Sequence, residues 1–312
     1  MNEFRNAATG VPGSLRGFPW GAPDTFLGLP PEHTDFGQAG VVLLPVPYEA
    51  TVSWMSGTKN GPSAILEASH YIELYDHELD CEPYEIGIHT LPELVLPHTG
   101  PEVALQVLRD VMDELVKREQ LVVMVGGEHS LSSPPILAHA DRLGNRRLSV
   151  LQLDAHTDLR PEYGGTPFSH ACVMHRVHEQ VDVVPVGIRS LTRDERAVLR
   201  DRDMPVIFSH ELEDEGWIDR AVEALGPDVY ITFDVDYFDP ALMPATGTPE
   251  PGGGTWHPTL RLLERVFRER NVVGCDVVEL APIPGMVAPD FLAAKLIYKM
   301  VGFHALKCRG TR

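Results

Sequence analysis

Residues 148–158 read Leu148-Ser149-Val150-Leu151-Gln152-Leu153-Asp154-Ala155-His156-Thr157-Asp158, a short apolar run that stops on three ligand-type side chains at alternate positions. A run of that length bounded by polar residues is the pattern of a strand buried on both faces. The same pattern recurs on either side of it. Residues 121–125 run into Gly126-Gly127-Glu128-His129-Ser130, residues 229–233 into Asp234-Val235-Asp236-Tyr237-Phe238-Asp239-Pro240, and residues 272–278 into Glu279. Further strands are expected over 41–45, 181–187 and 205–208. Amphipathic segments lie between them, most clearly 101–118, where Leu105, Leu108, Met112 and Leu115 keep helical spacing behind a proline at the tolerated first position. Other helices are expected over 62–68, 130–140, 192–200, 211–225, 258–268 and 289–300. Strands alternating with helices predict an α/β fold, a mostly parallel sheet with helices on both faces.

Composition narrows the class. The 312 residues carry 26 basic and 45 acidic side chains, a formal charge of −19, which repels phosphate backbones and anionic membranes and favours a cationic small molecule. Nucleic-acid and membrane partners are therefore not expected. Cys81, Cys172, Cys275 and Cys308 form no C-x-x-C pair, so they read as reduced thiols of a cytoplasmic protein rather than a zinc-thiolate site. No apolar run approaches the length of a bilayer span. Residues 1–40 are dense in Gly and Pro and lack the pattern of a signal peptide, which predicts an arm laid over a surface or a partner subunit. Nothing after residue 40 marks a boundary, so residues 41–312 are expected to form one domain.

The polar clusters sit where ligands bind in open α/β sheets, at the carboxyl ends of strands. Alternate side chains of an extended segment share a face, so Asp154, His156 and Asp158 can point one way, as can Asp234 and Asp236. With His129 they would gather two imidazoles and four carboxylates. That much negative charge is too costly to bury without cations, and two divalent ions neutralise four carboxylates. Imidazole and carboxylate without thiolate suit manganese better than structural zinc, with iron, cobalt and zinc left open by ligand type alone. The competing reading of each piece is bland: His129 as a packing residue, Asp154 as a helix cap, Asp239-Pro240 as a turn starter. The conjunction in this order is more specific than any part.

The order G-G-[DE]-H-S, then D-A-H-x-D, then D-x-D-x-x-D-P resembles the ureohydrolase family of arginase, agmatinase, guanidinobutyrase and formiminoglutamase. The likeness extends through residues 57–65, the loop Gly247-Thr248-Pro249-Glu250-Pro251-Gly252-Gly253 and Asp276-Val277-Val278-Glu279-Leu280-Ala281-Pro282. It is greatest to agmatinases in Ser169-His170-Ala171-Cys172-Val173-Met174 and in Glu250-Pro251. Glu128 stands where many members carry aspartate, and His175 where arginine is usual.

The resemblance implies a three-layer arginase-like fold and two Mn2+ per subunit, one held by His129, Asp154, Asp158 and Asp234, the other by Asp154, His156, Asp234 and Asp236. It implies that a metal-bridging hydroxide attacks the guanidinium carbon of agmatine, releasing urea and putrescine in polyamine biosynthesis. Asp158 would relay the proton, His170 would shuttle one to the departing amine and Glu279 would orient the guanidinium. A homo-oligomer, trimer or hexamer, is implied as well. Within the loop after Asp158, Glu162 would favour a distal ammonium and Arg160 a carboxylate, which keeps guanidinobutyrase as the alternative. Two-metal phosphoesterases share the D-x-H start but not their later motifs, and a non-catalytic metal-stabilised subunit would not need the complete ligand set.

Overall fold

The structure, a computed structural model, describes residues 24–214 and 216–310. Its strands are β1 (Val41–Val46), β2 (Ile88–Thr90), β3 (Leu121–Gly126), β4 (Ser149–Leu153), β5 (Asp182–Ile188), β6 (Ile207–Phe208), β7 (Asp228–Asp234) and β8 (Asn271–Val278). They form one sheet in the order β2-β1-β3-β8-β7-β4-β5-β6, with every pair parallel. The helices are α1 (Gly61–Ser69), α2 (Pro101–Leu115), α3 (Ser133–Leu143), α4 (Val173–Val177), α5 (Arg193–Asp201), α6 (Trp217–Ala224), α7 (Trp256–Glu269) and α8 (Ala288–Gly310).

The two faces of β3 show why its residues are apolar throughout. Val123 and Val125 pack into one core with Leu66, Leu263 and Ile297, while Val122 and Met124 pack into another with Leu105, Leu108 and Met112. Burying each such side chain is worth roughly 1.5–3 kcal/mol, and a strand covered on both sides collects that from every position. The result is the parallel sheet covered by helices that the alternating pattern predicts, in the three-layer α/β/α arrangement that the resemblance implies.

Five details differ from the sequence expectation. β2 is only three residues long, too short for a periodic signal. The expected helix over 211–225 is a 3-10 turn, Ser209–Glu213, followed by α6, with Gly216 between them. α4 is a single turn that the sequence does not announce, and α8 continues past residue 300 to Gly310. Of the arm expected over 1–40, residues 1–23 lie outside the described residues. Its inner end is part of this chain's own core: Phe26, Leu27 and Leu29 are buried, and the Leu27 amide donates to Ser69 Oγ at 2.8 Å. Among the described residues no helix is long and apolar enough to cross a membrane.

Candidate active site

β3, β8, β7 and β4 are consecutive neighbours in the sheet, and each ends in one of the polar clusters. Their carboxyl ends therefore deliver His129, Glu279, Asp234 with Asp236, and Asp154 with His156 to one place. His129 is buried, and its Nδ1 lies 2.9 Å from Asp158 Oδ2, 3.2 Å from Asp154 Oδ2 and 3.3 Å from Asp234 Oδ2. His156 Nδ1 lies 2.9 Å from Asp236 Oδ2 and 3.6 Å from Asp154 Oδ1. Ligand atoms of His129, Asp154 and Asp234 fall within 4.8 Å of one another, as do those of Asp154, His156 and Asp236, so Asp154 belongs to both groups. Asp158 stands beside the first group through its contact with His129.

This donor set fits a pair of cations. His129 Nδ1 faces three carboxylates yet meets the geometry of a hydrogen bond with none of them. Ligand atoms gathered within 4.8 Å of one another, with the ring nitrogen among them left without a hydrogen bond, suit a metal. Burial and the carboxylates of Asp236 and Asp154 push Asp234 well above the usual carboxylate range, and burial with Asp154 pushes Asp158 up to about 6. Burial opposes a charged imidazole at His129, but the three carboxylates of Asp154, Asp158 and Asp234 gathered around it win and raise it. At His156 the same contest is won by Asp236, which raises the ring to about 12. Asp154, despite burial, is held low by His129 and His156. Without metal, the carboxylates draw their counter-charge from the two rings.

Fixed partners orient these ligands. His129 Nε2 meets Thr232 Oγ1 at 2.9 Å, and Thr232 Oγ1 donates to Asp276 Oδ1 at 2.8 Å. That chain holds the ring so that Nδ1 faces the cluster, the usual role of an outer partner of a metal histidine. Asp154 accepts from the His156 amide and from Gln152 Nε2, at 2.6 and 2.8 Å, and the Asp236 amide donates to Asp234 Oδ1 at 2.9 Å. Arg189 donates to the backbone carbonyls of Asp236, Tyr237 and Phe238 and to that of Glu250, so one guanidinium ties the Asp236 loop to the glycine-rich loop.

The Gly-Gly-Glu-His segment is explained by its crowding. A Cβ on Gly127 would collide with the Tyr48 carbonyl oxygen, so only glycine lets residues 48–51 pass there. Glu128 is completely buried and accepts from the Ala50 and Thr51 amides at 2.6 Å each, from Thr51 Oγ1 at 2.7 Å and from Ser130 Oγ at 2.5 Å. Thr51 Oγ1 in turn accepts from the His170 amide at 2.9 Å. Glu128 therefore staples the loop that sets the position of His170.

A cavity of about 230 Å³ opens beside the cluster, lined by His156, Asp158, Arg160, His170, Asp234 and Thr248 among others. His170 Nδ1 lies 3.6 Å from Glu279 Oε1, and its Nε2 is buried with no hydrogen-bond partner. Burial lowers the ring's pKa, but the Glu279 carboxylate overrides this and raises it. Asp158 (φ 52°) and Glu279 (φ 66°) are both in the left-handed region, a strain that non-glycine residues adopt where the surroundings force it and that clusters at working sites. Arg160 stacks 4.8 Å over the Tyr163 ring and lies 3.9 Å from Glu195. Glu162 is exposed and is not part of the cavity wall.

Ser53, Tyr163, Ser190, Leu191, Thr192 and Glu195 also line the cavity, and sequence reasoning did not find them. Glu195 had one readable signal, the Thr192-x-x-Glu195 capping box that starts α5. Its other oxygen accepts from Thr157 Oγ1 at 2.8 Å, a contact between segments far apart in the chain.

Comparison with known proteins agrees with this geometry. The arginase family model matches residues 39–302. The N(1)-aminopropylagmatine ureohydrolase of Synechocystis is 38% identical over 86% of this chain and 90% of its own length. The agmatinase of Pyrococcus horikoshii is 32% identical over 87% of this chain and 94% of its own. Among solved structures, the agmatine ureohydrolase of Thermoplasma volcanium superposes with a TM-score of 0.83 at 27% identity, covering 96% of this chain and 100% of that one.

Proposed function

This chain belongs to the arginase family, and from that premise we propose that it is a manganese ureohydrolase that converts agmatine to putrescine and urea. The observation that carries the reading is the partnerless His129 Nδ1, buried within 3.3 Å of one oxygen each from Asp154, Asp158 and Asp234. His129, Asp154, Asp158 and Asp234 would hold one ion and Asp154, His156, Asp234 and Asp236 the other; the thiolate-free set favours manganese. A divalent pair bound there supplies Lewis acidity and a water acidic enough to ionise near neutral pH.

The remaining work falls to this chain's side chains. Glu279 orients the guanidinium by charge-assisted hydrogen bonding, with its reacting carbon turned toward the cluster. Asp158, which lines the cavity and lies 2.9 Å from His129, takes the proton that the attacking water gives up. Water adds to the guanidinium carbon, the bond to the alkyl-bearing nitrogen breaks, and His170 delivers the proton with which the amine leaves. The lone Nε2 of His170, unclaimed by any protein group, supports that assignment.

At the far end of the substrate, Arg160 is engaged by Tyr163 and faces Glu195, which makes it a poor free partner for the carboxylate of guanidinobutyrate. Glu162, exposed outside the cavity, adds to the acidic field of the chain, which favours a distal ammonium. A second reading is N(1)-aminopropylagmatine, favoured by the 38% identity of the Synechocystis protein against 32% for the Pyrococcus agmatinase. An arm over residues 1–40 whose inner end packs into the core, one domain over 41–312, a trimer or hexamer, and cytoplasmic residence complete the reading.

Urea release with manganese, measured side by side for agmatine, N(1)-aminopropylagmatine, guanidinobutyrate and arginine, tests it. Agmatine should lead by orders of magnitude in kcat/KM, because a wrong tail strands desolvated polar groups. A lead for aminopropylagmatine moves the assignment to the longer polyamine, and absence of urea from all four defeats the reading.

A further inference from the structure

At the opposite end of the sheet, where β3 and β8 begin, lies a second cavity of about 540 Å³. Leu121 lines it, whereas Gly126 at the other end of β3 adjoins the candidate metal cluster; five strand steps, about 17 Å, separate the two. The chain as a whole carries a charge of −19, yet Arg118, Arg142 and Arg146 all line this one space.

Their charge is poorly matched. Arg146 pairs with Asp228 at 2.9 Å. Arg118 lies over the Phe36 ring at 4.4 Å, and no carboxylate pairs with either Arg118 or Arg142 among the described residues. Glu119 is the lone acidic residue of the wall. His139, 6% exposed, completes the lining from within, with its Nε2 turned away against Gly274 of β8. Burial and the charge of Arg142 depress this ring to about 4, so it is a neutral group with one N–H to donate.

Arg118 and Arg142 stand near the C-terminal ends of α2 and α3, where cations complement the helix dipole. That accounts for basic residues on the surface there. It does not account for a walled space of this size, lined by two guanidiniums that no carboxylate among the described residues pairs with, in a chain of net charge −19.

We propose that this cavity is a binding site for a small oxyanion-bearing metabolite, an organic phosphate or a dicarboxylate, held by the forks of Arg118 and Arg142 with His139 at its floor. Guanidinium forks match both phosphate and carboxylate oxygens in pairs. The site shares no lining residue with the cavity beside His129, so a guanidino substrate does not occupy it.

Isothermal titration of the manganese-loaded protein with sodium sulfate, at ionic strength held constant with chloride, tests the site. One saturable site per chain is expected, undisplaced by agmatine. Arg118→Glu and Arg142→Glu, at exposed positions outside the catalytic set, should each weaken it tenfold or more while leaving sulfate-free turnover unchanged. Glucose 6-phosphate and succinate titrated in parallel separate a phosphate from a dicarboxylate. Failure of all three anions to saturate, saturation indifferent to both charge reversals, or displacement by agmatine overturns the proposal.

Discussion

The backbone amide of His129 donates to Oε1 of Glu279 at 2.6 Å, across 150 residues of chain. The Glu279 amide returns a hydrogen bond to the Gly127 carbonyl at 2.8 Å. The ends of β3 and β8 are thus latched by the carboxylate proposed to read the guanidinium. One side chain sets the pose of a candidate metal ligand and is the one proposed to set the pose of the substrate.

That double role separates two substitutions at one position. Glu279→Gln keeps an oxygen for the His129 amide but loses the charge facing the guanidinium. Manganese content should stay near wild type while kcat/KM for agmatine falls about 100-fold, roughly 2.7 kcal/mol of transition-state stabilisation. Glu279→Ala removes both functions and should lose metal as well. Metal analysis beside urea kinetics checks the pair; equal metal loss in both variants would contradict the division.

Asp154→Asn and Asp234→Asn should each strip manganese and nearly all turnover, since both carboxylates are proposed to touch both ions. The exposed Glu213→Gln should do neither. Chelation should also lower the melting temperature of the wild type, because ligand binding to the native state is lost and buried carboxylates are left facing one another. An unchanged melting curve after verified metal removal would argue against a shared site.

Metal uptake should release protons and weaken in acid. In the metal-free protein Asp158 titrates at about 6, Asp234 is raised above the usual carboxylate range, and His129 and His156 are raised by the carboxylates around them. A raised pKa means that the proton is still bound at neutral or mildly acidic pH, so each ion must displace it. Manganese affinity measured against a competing chelator should rise from pH 6 to pH 8, with acidification of weakly buffered solution on binding. Affinity flat across that range would contradict the assignment of these groups as ligands.

Thr232→Val cuts the chain from Asp276 to His129 Nε2 without touching any proposed ligand. Losing such an outer partner typically costs 10–100-fold in metal affinity. Thr232→Ser, which keeps the hydroxyl, should restore it. A Val variant with wild-type affinity would reduce Thr232 to packing.

His170→Phe should depress turnover with metal content intact, because the ring lies outside both ligand groups. Joint loss of metal and activity would instead make His170 a ligand.

The polar clusters were legible because each is local: an apolar strand, then ligand residues at alternate positions, within a dozen consecutive residues. Glu128 shows where that legibility stops. Its letters sit inside the motif, but its four donors come partly from residues 50 and 51, and nothing in the periodicity of either segment announces the meeting. Arg189 and the contact of Glu195 with Thr157 are hidden for the same reason, since the partners are carbonyls and a hydroxyl from distant segments. β2 and α4 were hidden by length, being three and five residues long and so spanning less than two full periods of their patterns.

By itself the sequence determined the alternation of strand and helix, the two-faced burial of the strands and the set of side chains able to meet divalent cations, all consequences of side-chain period and charge cost along a continuous stretch. Only the tertiary structure decided that β3, β8, β7 and β4 lie side by side although they are third, eighth, seventh and fourth in the chain. Strand order depends on which apolar faces bury best together once the helices close over them, and that comparison among distant segments has no local signature. It is this order that brings His129, Glu279, Asp234 and Asp154 within reach of one another, and it leaves Glu162, from the same loop as Arg160, facing solvent outside the cavity.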